Sequence, residues 1–163
     1  MQILYEDNHI IIVNKAPGEI VQGDKTGDEP LVETLKTWIK EKYNKPGNVF
    51  CGVVHRLDRP VGGVVVFAKT SKALSRLNDM FRNGQVHKTY WAISRNLPPK
   101  SEDILTHYIT TVERNNKSYA SLTPKLGAKE ARLSYRHIAS SERYHLLEVN
   151  LMTGRKHQIR VQL

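Results

Sequence analysis

The most chemically pointed stretch of the chain is His55-Arg56-Leu57-Asp58-Arg59-Pro60-Val61-Gly62-Gly63, one carboxylate set between two arginines. A carboxylate serves as a nucleophile or charge stabiliser when it is kept ionised and held by rigid surroundings. Arginines on both sides favour the charged form of Asp58. Pro60 and the two glycines keep the segment out of a helix. The run Val64-Val65-Val66-Phe67-Ala68 behind them predicts a buried strand that anchors the loop. A surface ion pair at a strand entrance is the competing reading of this stretch alone.

Two more clusters suit a polyanionic partner. Lys88-Thr89-Tyr90 puts a phenol beside a base on a predicted strand. Aromatic rings stack on nucleobases at about 1–3 kcal/mol each, although a lone tyrosine more often packs within a sheet. Thr153-Gly154-Arg155-Lys156-His157-Gln158-Ile159-Arg160 is a dense basic run at a predicted strand-to-helix turn, where backbone N–H groups and side chains can meet phosphate. In a helix, Lys156 and Arg160 share one face. Other chemistries find less support. Seven histidines are scattered, with only Cys51 and His55 close enough to share a helical face, which is too few ligands for zinc. A Cys51–His55 nucleophile pair has no evident third member. No phosphate-cradling GxxxxGK[ST] loop occurs, so neither ATP nor nicotinamide chemistry is indicated. Glycoside hydrolysis needs a second acid, and the neighbours of Asp58 in sequence are Arg56, Arg59 and Lys69.

The elements that must position these residues follow from periodicity. Ile3–Tyr5 and His9–Val13 predict two short strands, and Asn14-Lys15-Ala16-Pro17-Gly18 then breaks the chain. Leu31, Leu35, Trp38 and Ile39 predict an amphipathic helix over Leu31–Tyr43, stopped by Pro46-Gly47, with Trp38 in the core. Ser71 is the expected N-cap of a second helix whose apolar face is Leu74, Leu77 and Phe81 and whose stop is Gly84. Val86–Ser94 predicts a strand, residues 107–122 a hairpin around Arg114–Lys117, and Ala131–Tyr135 and His145–Met152 further strands. The expectation is one α+β domain over residues 1–163, a mixed, largely antiparallel sheet with flanking helices. Its net charge of +9 is uneven: residues 1–81 hold 11 basic and 10 acidic side chains, residues 82–163 hold 14 and 6. A basic second half points to nucleic acid. No apolar stretch reaches membrane-spanning length, Met1 leads directly into a strand, and the one cysteine fits a reducing compartment, so a cytoplasmic protein without membrane contact is expected.

Taken in order, Asn14–Gly18, His55–Asp58, Lys88–Tyr90 and Gly154–Arg160 resemble the motifs of RluA-type pseudouridine synthases: Asn-Lys-Pro-x-Gly, His-Arg-Leu-Asp, Lys-x-Tyr and Gly-Arg-x-His-Gln-Ile-Arg. The similarity covers nearly the whole chain. It implies the pseudouridine synthase fold and the isomerisation of specific uridines in structured RNA (rRNA or tRNA), without cofactor or metal, by a monomer. It implies that Asp58 is the nucleophile, that Tyr90 stacks on the flipped base and assists removal of its C5 proton, and that Arg160 pairs with Asp58. Arg56 would enter the space left by the extruded nucleotide, with His55, Leu57, Arg59, Lys88, Arg155, His157 and Gln158 also in the substrate site. Two departures stand out. Val61-Gly62-Gly63 replaces the usual Thr-Ser-Gly, removing two hydroxyls from the loop, and the family normally continues several tens of residues past the last motif. The chain is therefore expected to lack its C-terminal portion, and no N-terminal RNA-binding domain is expected ahead of Ile3. A non-catalytic RNA-binding protein that keeps the synthase fold is the alternative, and a nucleoside or glycoside hydrolase ranks below both.

Overall fold

Strand alternation builds the first sheet of the structure, a computed structural model that describes the backbone of residues 1–163 and every side chain but that of Asn115. The chain divides into two compact units, Met1–Gln85 and Val86–Leu163. In the first, strands β1 (Gln2–Glu6), β2 (Ile10–Lys15), β3 (Gly52–Val53) and β4 (Gly63–Ala68) pair in the order β1-β2-β4-β3, every pairing antiparallel. Successive strand residues point to opposite faces. Ile11, Val13, Val65 and Phe67 thus bury one face against Leu31, Val32, Leu35 and Ile39 of helix α1 (Leu31–Lys42). Each such side chain contributes about 1.5–3 kcal/mol of apolar burial. Trp38 packs against this core partly buried, as its place on the stripe predicts. The helix ends at Lys42, ahead of the expected stop, and Asn44 turns left-handed at φ 46°.

Helix α2 (Ser71–Arg82) has Thr70 as its N-cap, not the expected Ser71. The Thr70 hydroxyl accepts the Ala73 N–H at 3.1 Å, three positions on, where a capping oxygen can reach. Gly84, at φ +69°, provides the predicted stop, and its N–H donates to the Phe81 carbonyl.

The ends of β1, α1 and β4 meet at Glu6. Its carboxylate accepts from Lys42 Nζ and Lys69 Nζ, each at 2.6 Å, and from the Tyr43 hydroxyl at 2.8 Å. Its side chain is 9% exposed. Burial pushes the Glu6 carboxyl up, but the hydrogen bonds from Lys42, Lys69 and Tyr43 outweigh it and bring it to about 2. A depressed carboxyl stabilises the fold above its unfolded value, and that stability is lost as pH falls toward the folded one. We expect this unit to lose about 1–2 kcal/mol between pH 4.5 and pH 2, a figure reduced for solvent screening because Lys42 is 45% exposed. Melting temperature followed against pH should show a shallower acid limb in Glu6→Gln. Parallel limbs would remove Glu6 from the acid response.

The second unit is one five-stranded sheet in the order β5-β9-β8-β6-β7, again wholly antiparallel, built from β5 (Thr89–Ser94), β6 (Glu102–Val112), β7 (Lys117–Ser121), β8 (Lys129–Ser140) and β9 (His145–Leu151). The expected hairpin is β6–β7, closed by a short 3-10 turn and by Asn116 at φ 54°. Leu133, Tyr135, Leu147 and Val149 form the buried face, with Tyr90, Ala92, Leu105, Leu151 and Ile159 packed on it. The observed class is the expected α+β with largely antiparallel sheet and few helices, the strands lying in two sheets and all described pairings antiparallel. Helix α3 (Gln158–Gln162) is shorter than the basic run suggested, so Lys156 lies in the turn before it and does not share a helical face with Arg160.

Candidate active site

The loop carrying Asp58 is held by a lysine whose place in the sequence suggests only a chain break. Lys15 continues the inward parity of Ile11 and Val13 and is 1% exposed. Its Nζ donates to the carbonyls of Val61 at 2.7 Å, Arg59 at 3.1 Å, Ala16 at 3.2 Å and Asp58 at 3.3 Å. A buried ammonium is tolerated when its donors are satisfied, and here they fix three carbonyls of one loop. Burial pushes the Lys15 amine down, and the carboxylates of Glu19 and Asp58 act against that. Two backbone bonds complete the loop: Val61 N–H to the Asp58 carbonyl at 3.0 Å and Gly18 N–H to the Arg59 carbonyl at 2.8 Å. The loop that lacks the family's two hydroxyls is therefore held through its main chain. Gly62 allows this close approach, since a Cβ there would stand 3.1 Å from Pro17 Cδ and 3.3 Å from the Lys15 carbonyl oxygen.

On this frame the side chains sort by direction. Leu57 packs against the core, whereas Arg56, Asp58 and Arg59 are exposed. Arg59, expected beside Asp58, pairs its guanidinium with the carboxylate of Asp28. His55 is half-buried, its ring stacked on Phe81 at 5.0 Å between centroids, and its Nε2 accepts the Val66 N–H at 3.1 Å. An accepting Nε2 carries no proton, so this imidazole buttresses the loop against β4. Burial pushes the Cys51 thiol up to about 12, which leaves it a thiol and no nucleophile.

The remaining expected site residues belong to the second unit. Tyr90 is half-buried on the core side of β5, opposite Val149. Lys88 is half-buried, with its Nζ 3.7 Å from where a side chain on Gly154 would begin. Gln158, expected at the substrate, is 3% exposed: its Oε1 accepts from Thr153 Oγ1 at 2.8 Å and the Arg155 N–H at 2.9 Å, and its Nε2 donates to the Arg132 carbonyl at 3.0 Å. The amide thus organises the turn. It also takes the Arg155 backbone N–H that the sequence offered to phosphate. His157 sits at φ 55°, a conformation side chains rarely adopt, and Arg160 is exposed on α3. Gln162 is buried beneath the same helix, donating toward the carbonyls of Leu105 and Ala131.

An α+β chain of antiparallel sheets, with an Asp58 loop clamped from beneath by Lys15, belongs to the RNA pseudouridylate synthase family, whose model matches residues 9–163. The resemblance to RluA-type synthases drawn from the four motifs is borne out. Among its relatives, the chain is 33% identical over 165 residues to a ribosomal large subunit pseudouridine synthase C of Buchnera aphidicola, covering 99% of this chain and 49% of that protein. It is 33% identical over 174 residues to a tRNA pseudouridine synthase C of Vibrio parahaemolyticus, covering 98% and 67%. The solved structure of human RNA pseudouridylate synthase domain containing 4 superposes with a TM-score of 0.81 at 27% identity, over 98% of this chain and 62% of that one. The chain thus spans from about half to two thirds of the length of these relatives.

Proposed function

We propose that the protein isomerises uridine to pseudouridine within RNA, with Asp58 as the nucleophile acting on a flipped-out nucleotide. The reaction breaks the bond between N1 and C1′ and forms one between C5 and C1′; the C5 proton leaves and N1 gains a proton. Nothing is oxidised or reduced, so the chemistry asks for no cofactor. The observation that carries this reading is the exposed Asp58 on a loop fixed by Lys15, in a chain of this family. Extrusion of a base costs a few kcal/mol, which a basic site with a wedge can offset, and Arg56 is suited to that place. Tyr90 stacks on the everted uracil and assists proton removal from C5. Arg160 pairs with the Asp58 carboxylate. rRNA and tRNA are the substrate classes named for the relatives, and they are the RNAs to test first.

The test is tritium release from RNA labelled at uridine C5, run beside a binding measurement. The full chain should release tritium and yield pseudouridine; salt-sensitive RNA binding without product would favour a non-catalytic binding protein. Arg160→Ala should slow release by about a hundredfold, as expected for loss of an electrostatic partner in the transition state, with a much smaller loss of affinity. Equal losses in rate and affinity would reassign Arg160 to plain phosphate contact.

A further inference from the structure

In the second unit a cavity of about 370 Å³ opens between the end of β6, the turn before β8 and the Thr153–Lys156 turn. Three cations line it: Lys129, Arg155 and Lys156. Their placement is built. Gln158 fixes the turn that carries Arg155, and Arg155 Nε donates to the Glu130 carbonyl at 2.8 Å, anchoring the guanidinium to β8. Lys129 follows Gly127, whose φ of +75° closes the turn in which Ala128 N–H donates to the Lys125 carbonyl. Two other basic side chains of this unit are paired, Arg136 with Glu148 and Lys100 with Asp103. Among the described residues no carboxylate makes a salt bridge to Lys129, Arg155 or Lys156. One anchored guanidinium and two exposed ammonium groups around one concavity attract an anion, and a guanidinium beside ammonium groups suits phosphate oxygens. Thr111, on the cavity wall, adds a hydroxyl, and Gly127 and Gly154 leave the rim without bulk. A cavity of a few hundred Å³ holds one nucleotide unit and no duplex.

From this we infer that the Lys129–Arg155–Lys156 cavity is a binding site for a backbone phosphodiester of the RNA, in which Lys129, a residue outside every expected site, joins Arg155 and Lys156 of the basic run. This rests on the reading of RNA as substrate. No pattern in the chain singles out Lys129, because its role depends on β8 and the final turn coming together.

The experiment titrates a uridine-bearing RNA stem-loop with the full chain at several salt concentrations, for the unaltered protein and for Lys129→Gln, Lys156→Gln and Lys100→Ala. Removing one phosphate-binding cation should lower the slope of log affinity against log salt by about 0.7–0.9 and weaken binding about three- to tenfold. Lys129→Gln and Lys156→Gln should do so, and Lys100→Ala, whose charge is already paired, should not. Unchanged affinity and slope in both lysine variants, with the unaltered protein binding and isomerising RNA, would overturn this site and leave the function standing. The same losses in Lys100→Ala would overturn it too, in favour of diffuse surface charge. Failure of the unaltered chain to bind or isomerise RNA would sink the function itself, and this site with it. A second arm adds inorganic phosphate alone: it should compete with RNA beyond chloride at equal ionic strength in the unaltered protein and not in Lys129→Gln, whereas phosphate that binds without displacing RNA would assign the cavity to a free anion instead.

Discussion

Asp58→Asn should abolish pseudouridine formation, lowering the single-turnover rate by about ten-thousandfold or more, as loss of a covalent nucleophile does. The amide keeps the size and much of the hydrogen-bonding capacity of the carboxylate but supplies no anionic oxygen to attack carbon. Because Asp58 is exposed, and its loop is held by main-chain carbonyls that accept from Lys15, the variant should fold normally. RNA affinity should stay close to that of the unaltered protein, since an anionic carboxylate is no donor to phosphate. Tritium release and a binding titration on the same preparation check both halves. Retention of a few per cent of turnover would remove Asp58 from the chemistry.

Lys15→Met should do nearly as much damage by a different route. Methionine fills most of the volume but donates nothing, so the half-buried carbonyls of Asp58, Arg59 and Val61 lose their shared donor. We expect about 1–3 kcal/mol of destabilisation, the range for polar groups left unsatisfied away from water. Asp58 should also lose its fixed position. Misplacement of a reacting group by about 1 Å can cost a hundredfold in rate, so turnover should fall by at least that factor at temperatures well below the variant's melting point. A variant with unchanged melting temperature and unchanged turnover would show that the loop holds its shape without Lys15.

Much of this was written in the chain. The stripe Leu31, Leu35, Ile39 and the alternation around Ile11 and Val65 were legible because a single face of each element is buried, which forces the pattern. The four motifs carried the family, and their residues carried the candidate site. Other features were hidden by the way the signals work. Lys15 lay in plain sight: counting by twos from Ile11 reaches it, but a lysine before Ala16-Pro17-Gly18 reads as the start of a loop. Thr70 and Ser71 are both fit to cap, and only the backbone decides between them. Gln158, set among cations, was expected at the substrate, because a helix of five residues is too short to show the period that would mark it as buried. Arg59 has Asp58 next to it in sequence, yet its ion pair is with Asp28, a partner that only chain folding supplies.

The underside of α3 has a consequence of its own. Gln158 and Gln162 sit one turn apart and reach down to main-chain oxygens of β6 and β8, where most short helices would press leucines onto a sheet. Greasy contact is indifferent to direction and lets a helix roll or slide by a fraction of a turn; amide-to-carbonyl bonds are angular and do not. Arg160, midway between the two glutamines on the opposite side, is therefore aimed by its own helix's anchorage, and a segment of five residues keeps the bearing of a much longer one.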